Sequence, residues 1–400
     1  MEKHKKKFSF GPGFVVTAAF IGPGTITTCS MAGSRFGYSL IFALVFATLT
    51  TIILQEMAGR LSLISNHDLA QALREFPQNR LIRFTFKILT LSSITLGCAA
   101  YETGNIIGGA LGLEMISPIS AKSWTILIAL VAIVILSRNK YVLVEKFLVA
   151  LVFLMSLSFF LTVIIIKPSL LSIFKGFIPS FPKNSLYIIL ALVGTTVVPY
   201  NLFLHSSAVK EKWGNKTHLK DVKKDLLFSI TLGGIISASI VITSAVSFHE
   251  KGIMIEKGSS MAEQLSPLFG PLTNFLFGLG FFSAGMSSAI TAPYAASFAS
   301  SGILGWKEGS NSKSFKLVWM AVILIGVLVS LSGFNPLEVI VFAQVANGIV
   351  LPVASIFLLI VLNNRFKMGN FANTPFQNIL GAIVVLLVIC LGLWNIIKLF

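Results

Sequence analysis

Long apolar runs follow one another from residue 14 to residue 399, separated by short polar intervals. A helix that crosses a bilayer needs about 20 largely apolar residues. Reading the runs on that rule predicts eleven spans, near 14–36, 39–57, 84–113, 122–137, 146–167, 185–209, 225–249, 270–303, 316–333, 337–362 and 377–399. The longest polar connection runs from Lys210 to Lys224, and no soluble domain fits between the spans. Two spans are interrupted. Gly22, Pro23, Gly24 and Thr25 break span 1, and Val198, Pro199, Tyr200 and Asn201 break span 6. A break inside the bilayer frees backbone N–H and C=O groups that lipid cannot satisfy. Paired broken segments in corresponding halves mark the substrate site of a secondary transporter.

The basic residues predict an orientation. With the N-terminus inside, 22 of the 31 Lys and Arg residues fall at inner loops and span ends, eight at outer ones, and Lys87 just within a span. That bias predicts a cytoplasmic N-terminus and an outside C-terminus. The apolar run after the basic stretch Met1–Lys7 reads as an uncleaved first span rather than a signal peptide. Spans 1–5 (about 10–168) and 6–10 (about 185–363) then form two five-helix units of opposite topology, each opening with a broken helix. This is the inverted-repeat plan of LeuT-like transporters. The predicted fold is an all-α integral membrane domain with one extra helix, about 377–399. The plasma (inner) membrane of a prokaryote is the expected location.

Composition narrows the reading. The chain is 55% hydrophobic and 12% charged, with mean hydropathy +0.86; soluble domains are about 25% charged. A net charge of +16 would suggest nucleic acid on a soluble protein. Here the basic residues cluster between apolar runs, so topology accounts for them and no nucleic-acid partner is expected. Cys29, Cys98 and Cys390 lie in apolar stretches without a metal-ligand spacing and read as small packing residues. Cys29, close to the first break, is a conceivable soft ligand. No nucleophile–base constellation or cofactor motif is present, so no enzyme activity and no cofactor are expected.

The candidate chemistry gathers at the breaks. Gly22 and Gly24 let the backbone approach a ligand, and Pro23 stops the helix from continuing. Thr25, Thr27 and Thr28 open the next half-helix, whose N-terminus is partly positive. In the second break Asn201 offers an amide and Tyr200 a phenol, and the carbonyls of Thr196 and Val197 are candidate acceptors. His205 titrates near neutral pH and can either relay protons or hold the bundle together. Glu102 lies well inside span 3, where carboxylates are rare and face the bundle interior or water. Glu56 and Arg60 read as an end-of-helix pair. Gln344 and Asn347 share a face of span 10. The small residues around Ser287 and Ser288 read as a helix-contact stretch.

These residues resemble the NRAMP family of proton-coupled divalent-metal transporters over nearly the whole chain. The resemblance rests on Gly11-Pro12-Gly13-Phe14, Phe36-Gly37-Tyr38-Ser39-Leu40, Leu54–Leu61, Asp68-Leu69-Ala70, Pro199–Ser206, the serines at 287 and 288, and Gln344. It implies an eleven-helix LeuT-like fold. It implies Thr25, Asn201 and Gln344 as ligand positions if a metal binds, and Glu102 and His205 as the proton pathway. The family's first break carries Asp-Pro-Gly-Asn and its second Met-Pro-His, whereas this chain has Gly22-Pro23-Gly24-Thr25 and Val198-Pro199-Tyr200. A family Glu in span 3 is matched by Asn105. The break residues thus supply neither a carboxylate nor a thioether.

Three expectations follow. The resemblance implies metal-ion transport, with a hard or hydrated ion favoured by an oxygen-only site. A neutral pocket at half-helix N-termini also suits a small anion or zwitterion, such as bicarbonate or an amino acid. A sensor would bind at the breaks without flux. Coupling ion and oligomeric state stay open.

Overall fold

The computed structural model describes residues 11–13, 17, 21–76, 79–138, 142–214, 218–306 and 312–397. The basic N-terminal stretch and most of the first half of span 1 lie outside them. The main helices are α1 (Pro23–Phe36), α2 (Ile41–Ser65), α3 (Leu69–Glu75), α4 (Arg80–Ile116), α5 (Ala121–Ser137) and α6 (Val142–Ile166). The second half holds α7 (Ser185–Thr196), α8 (Pro199–Trp213), α9 (Leu219–Ser247), α10 (Thr273–Leu304), α11 (Lys313–Ser330), α12 (Pro336–Leu362) and α13 (Pro375–Ile397). Among the described residues, eight helical stretches are long and apolar enough to cross a membrane, with α7 and α8 together making one of them. Ala121–Ser137 and Pro375–Leu387 are shorter apolar helices.

Polar caps set several of the ends. Asp68 and Gln71 form a reciprocal capping box on α3, Asn79 accepts from the Leu81 and Ile82 N–H groups, and Asn335 accepts from Leu337. Each satisfies N–H groups that a helix start leaves unpaired. Helices also overrun their apolar cores. The stretch from Lys210 to Lys224, expected as a polar connection, is largely the end of α8 and the start of α9. Lysine stems cover apolar surface while their ammonium groups reach water, so a basic run need not be a loop.

The core is built on α4, which packs along α10 and α12. Gly285 of α10 meets the backbone of Gly109, so closely that a β-carbon there would collide. Two helices can approach this far only where both contact residues lack side chains. On one side of the bundle, α1 and α9 are tied together: Ser244 Oγ donates to Ser30 O at 2.6 Å, and Gln264 Nε2 donates to Ser30 Oγ at 2.8 Å. Nearby, Tyr38 OH donates to Glu250 at 2.8 Å. Partial burial and the Glu250 carboxylate push the Tyr38 hydroxyl up, so it stays a donor at neutral pH. At the opposite end of α2, Glu56 and Arg60 pair at 3.1 Å. The helix runs on to Ser65, so Arg60 is buried rather than terminal.

Candidate functional site

Both helix breaks are present, and each is narrower than the sequence suggested. Ile21 N–H, just before the first break, donates to Thr17 O at 3.3 Å. Gly22 is then extended (φ −116°, ψ −173°), and α1 starts at Pro23. Pro23, Gly24 and Thr25, expected to be unwound, form its first turn. The residue before a proline is driven to extended backbone, which places the break at 21–22. In span 6 the break is Val197 and Val198 (φ −99° and −89°), and Pro199, Tyr200 and Asn201 already belong to α8. Both prolines occupy a first helical position, where a missing N–H costs nothing.

The breaks face each other. Thr25 Oγ1 and Thr195 Oγ1 are hydrogen-bonded at 2.7 Å, and α1 packs against α7. Tyr101 of α4 donates its hydroxyl to Thr195 O at 3.3 Å and meets Tyr200 edge-to-face. Thr51 of α2 donates to Thr196 O at 3.4 Å, and the Thr196 hydroxyl bonds back to Leu192 O. The Thr51 hydroxyl also donates to Ala47 O at 2.8 Å, so its single proton is shared and the Thr196 carbonyl keeps acceptor capacity.

Gln344 closes the site from α12. A side chain at Gly24 would collide with its amide, so Gly24 provides the notch in which Gln344 sits. Gln344 Nε2 donates to Ile340 O at 3.2 Å, while its Oε1 has no partner. Asn201 has no partner at either amide atom, and the Thr27 and Thr28 hydroxyls have none. All four residues are buried. An unpaired buried polar group costs about 1–3 kcal/mol. Several such groups beside two helix breaks are what a polar ligand would satisfy. Neither break sees water: Thr25, Val197, Tyr200 and Asn201 are all at most 2% exposed. Among the described residues, no three or more His, Cys, Asp or Glu side chains gather where they could hold a metal ion.

The two candidate proton residues sit apart in their contacts. Glu102 accepts from Asn105 Nδ2 at 3.4 Å and rests on Gly326 of α11; its Oε1 has no partner. Tyr101, one residue earlier, has its partners on α7, α8 and α12, where Asn347 bonds its hydroxyl. His205 is one turn beyond Asn201 on α8 and packs against Gly59 of α2, both ring nitrogens unpaired. Cys29 is a buried free thiol within α1.

The structure adds residues absent from the sequence-derived set. Among the described residues, a β-carbon at Gly22 would meet Ser288 alone, its Oγ at 3.0 Å, so Ser288 of α10 borders the first break. Thr195 and Tyr101 join the breaks to each other and to α4. The i, i+3 spacing of Gln344 and Asn347 pointed to their shared face. The buried Glu102 marks an inward face of α4, as its membrane depth in the sequence suggested, but the sequence does not say which helix that face meets.

Comparison with known proteins agrees with this geometry. The profile of the family described as natural resistance-associated macrophage protein-like (Nramp) matches residues 13–398. A divalent metal cation transporter, MntH, from Caldanaerobacter subterraneus subsp. tengcongensis is 30% identical over 401 residues, covering 97% of this chain and 92% of the relative. MntH from Bradyrhizobium diazoefficiens is 28% identical over 96% of this chain and 87% of its own. Among solved structures, the Eremococcus coleocola manganese transporter bound to an aromatic bis-isothiourea compound superposes with a TM-score of 0.77 at 23% identity, covering 96% of this chain and 85% of its own. Mhp1 in its inward-facing conformation gives 0.59 at 15% identity, covering 98% and 92%. At these identities the structures speak for the fold alone, a LeuT-type transporter fold. With matching profile, full-length relatives and fold, the chain belongs to the natural resistance-associated macrophage protein-like family.

Proposed function

We propose that this membrane protein is a secondary transporter of a divalent metal ion, carried with part of its water shell through a neutral oxygen site at the two helix breaks. The observation that carries the reading is the set of buried, unpartnered polar atoms on Asn201, Gln344, Thr27 and Thr28. Thr25, Gly22, Gly24, Val197, Tyr200 and Ser288 complete the walls. The relatives are named divalent metal cation transporters, which favours a metal over bicarbonate, an amino acid or a sensor role. Hard ions such as Mg²⁺ keep several waters and need few protein ligands, though usually one or two are carboxylates. Soft sulfur ligands favour soft ions, and Val198 stands where the family has Met. The chain should therefore discriminate less in favour of Mn²⁺ than a site built with Asp and Met. A cytoplasmic N-terminus, two five-helix repeats and proton coupling through Glu102, with His205 as a second relay, belong to the same reading.

The test is uptake of Mn²⁺ and Mg²⁺ into proteoliposomes, with and without a proton gradient, alongside calorimetric titration. Uptake of a divalent ion with Mn²⁺ binding weaker than micromolar is expected. No divalent flux, or micromolar Mn²⁺ affinity, would remove the reading. Orientation is checked separately, by labelling Lys220→Cys and Lys257→Cys from opposite sides with an impermeant thiol reagent.

A further inference from the structure

Away from the breaks, a groove of about 300 Å³ opens between α2, α9 and α13. Its walls are apolar and include Ile52, Leu226, Leu227 and Leu380. Leu227 is 58% exposed, so the groove lies on the lipid-facing surface. Hydrocarbon fills such a groove whatever the lipid. The rim decides which lipid is held.

That rim is charged. Glu56 Oε1 lies 3.1 Å from Arg60 Nε and 3.3 Å from Lys223 Nζ. One carboxylate thus serves two cations, and one positive charge is left over. Arg60 is fully engaged: it also donates to Phe371 O at 2.6 Å and to Asn373 Oδ1 at 2.7 Å, and it is buried. The Lys223 side chain is half exposed, so its remaining donors face outward above the apolar wall. Lys220 and Lys224 are exposed on the same end of α9. Basic side chains at the end of a membrane helix attract anionic lipid headgroups, and a lysine stem lies comfortably along hydrocarbon.

We propose that this groove is a binding site for an anionic phospholipid. Its phosphodiester pairs with Lys223, and one acyl chain runs over Leu227 and Leu380. Bound there, the lipid joins α13, which otherwise packs mainly on α12, to α2 and α9. It sits directly above the Glu56–Arg60 pair that anchors the segment before α13.

The experiment uses the full-length protein, delipidated in detergent. Thermal unfolding and native mass spectrometry are measured with phosphatidylglycerol, phosphatidylcholine or inorganic phosphate added. Phosphatidylglycerol should raise Tm and remain bound, while the other two should do neither. Lys223→Gln should keep the lipid-free Tm and weaken phosphatidylglycerol binding about fivefold, the effect of one lysine near a headgroup layer. Leu227→Trp fills the groove from its lipid side and should weaken binding with the rim charge intact. Equal retention of phosphatidylcholine overturns the proposal, as does an equal Tm shift with inorganic phosphate. So does phosphatidylglycerol affinity unchanged in either variant.

Discussion

Gly22 stands where the family resemblance implies an aspartate, and the structure shows how much room that position leaves. Among the described residues, a β-carbon there meets Ser288 alone, its hydroxyl at 3.0 Å, and a hydroxyl can rotate aside. Gly24 is the opposite case, since any side chain would strike Gln344. Gly22→Asp combined with Val198→Met should therefore fold and bind Mn²⁺ at least about tenfold more tightly, a gain of about 1.4 kcal/mol. Calorimetry on the double variant checks this, and unchanged affinity would mean that the two positions do not converge on one ion. Glu102 calls for a different experiment. It is buried with one carboxylate oxygen unpaired, so a proton can add there without breaking a hydrogen bond to that atom. Glu102→Gln keeps shape and hydrogen-bonding capacity but cannot cycle a proton. It should abolish the pH dependence of uptake and leave ion binding largely intact. Flux measured against internal and external pH decides; a wild-type pH profile would assign Glu102 a structural role.

At the scale of elements, four prolines show why some features were legible in the sequence and others were not. Pro23 and Pro199 break their spans, whereas Pro293 and Pro352 lie inside α10 and α12. The difference is in the preceding residues. Gly22 precedes Pro23, and the β-branched pair Val197 and Val198 precedes Pro199; both favour extended backbone. Ala292 and Leu351 are strong helix formers and stay helical. The existence of two breaks could thus be read from the chain. Their position one to three residues earlier than expected could not, because a first helical turn after a proline looks like loop chemistry in sequence. Helix pairing was less legible still. Small residues in span 8 suggested a contact, but only the fold shows that Gly285 lies on Gly109. Gly285→Ala should cost about 1–3 kcal/mol, as overpacking does in a tight core. The thermal midpoint in detergent measures it, and an unchanged midpoint would mean that α4 and α10 can part freely.

The whole molecule carries a large positive charge in its connections and, in the walls of the proposed ion site, no charge at all. The all-helical membrane class, the family and the neighbourhood of the breaks followed from hydropathy and motif; which helices α4 and α10 meet needed the fold. The carboxylate-free walls have an electrical consequence. A carrier whose site holds two negative charges is driven outward by the inside-negative potential when it returns empty, and its loaded form crosses almost without net charge. Here the order is reversed. At the proposed site the break residues add no charge of their own, so the loaded site would move the ion's two charges. Moving one charge through 100 mV is worth about 2.3 kcal/mol, so two give about 4.6 kcal/mol, more than three orders of magnitude in accumulation. On a solid-supported membrane, ion addition should give an inward current that scales with the imposed potential, and Gly22→Asp should reduce it. On the proposed reading the voltage acts on the loaded step and adds to any proton gradient in concentrating a divalent ion.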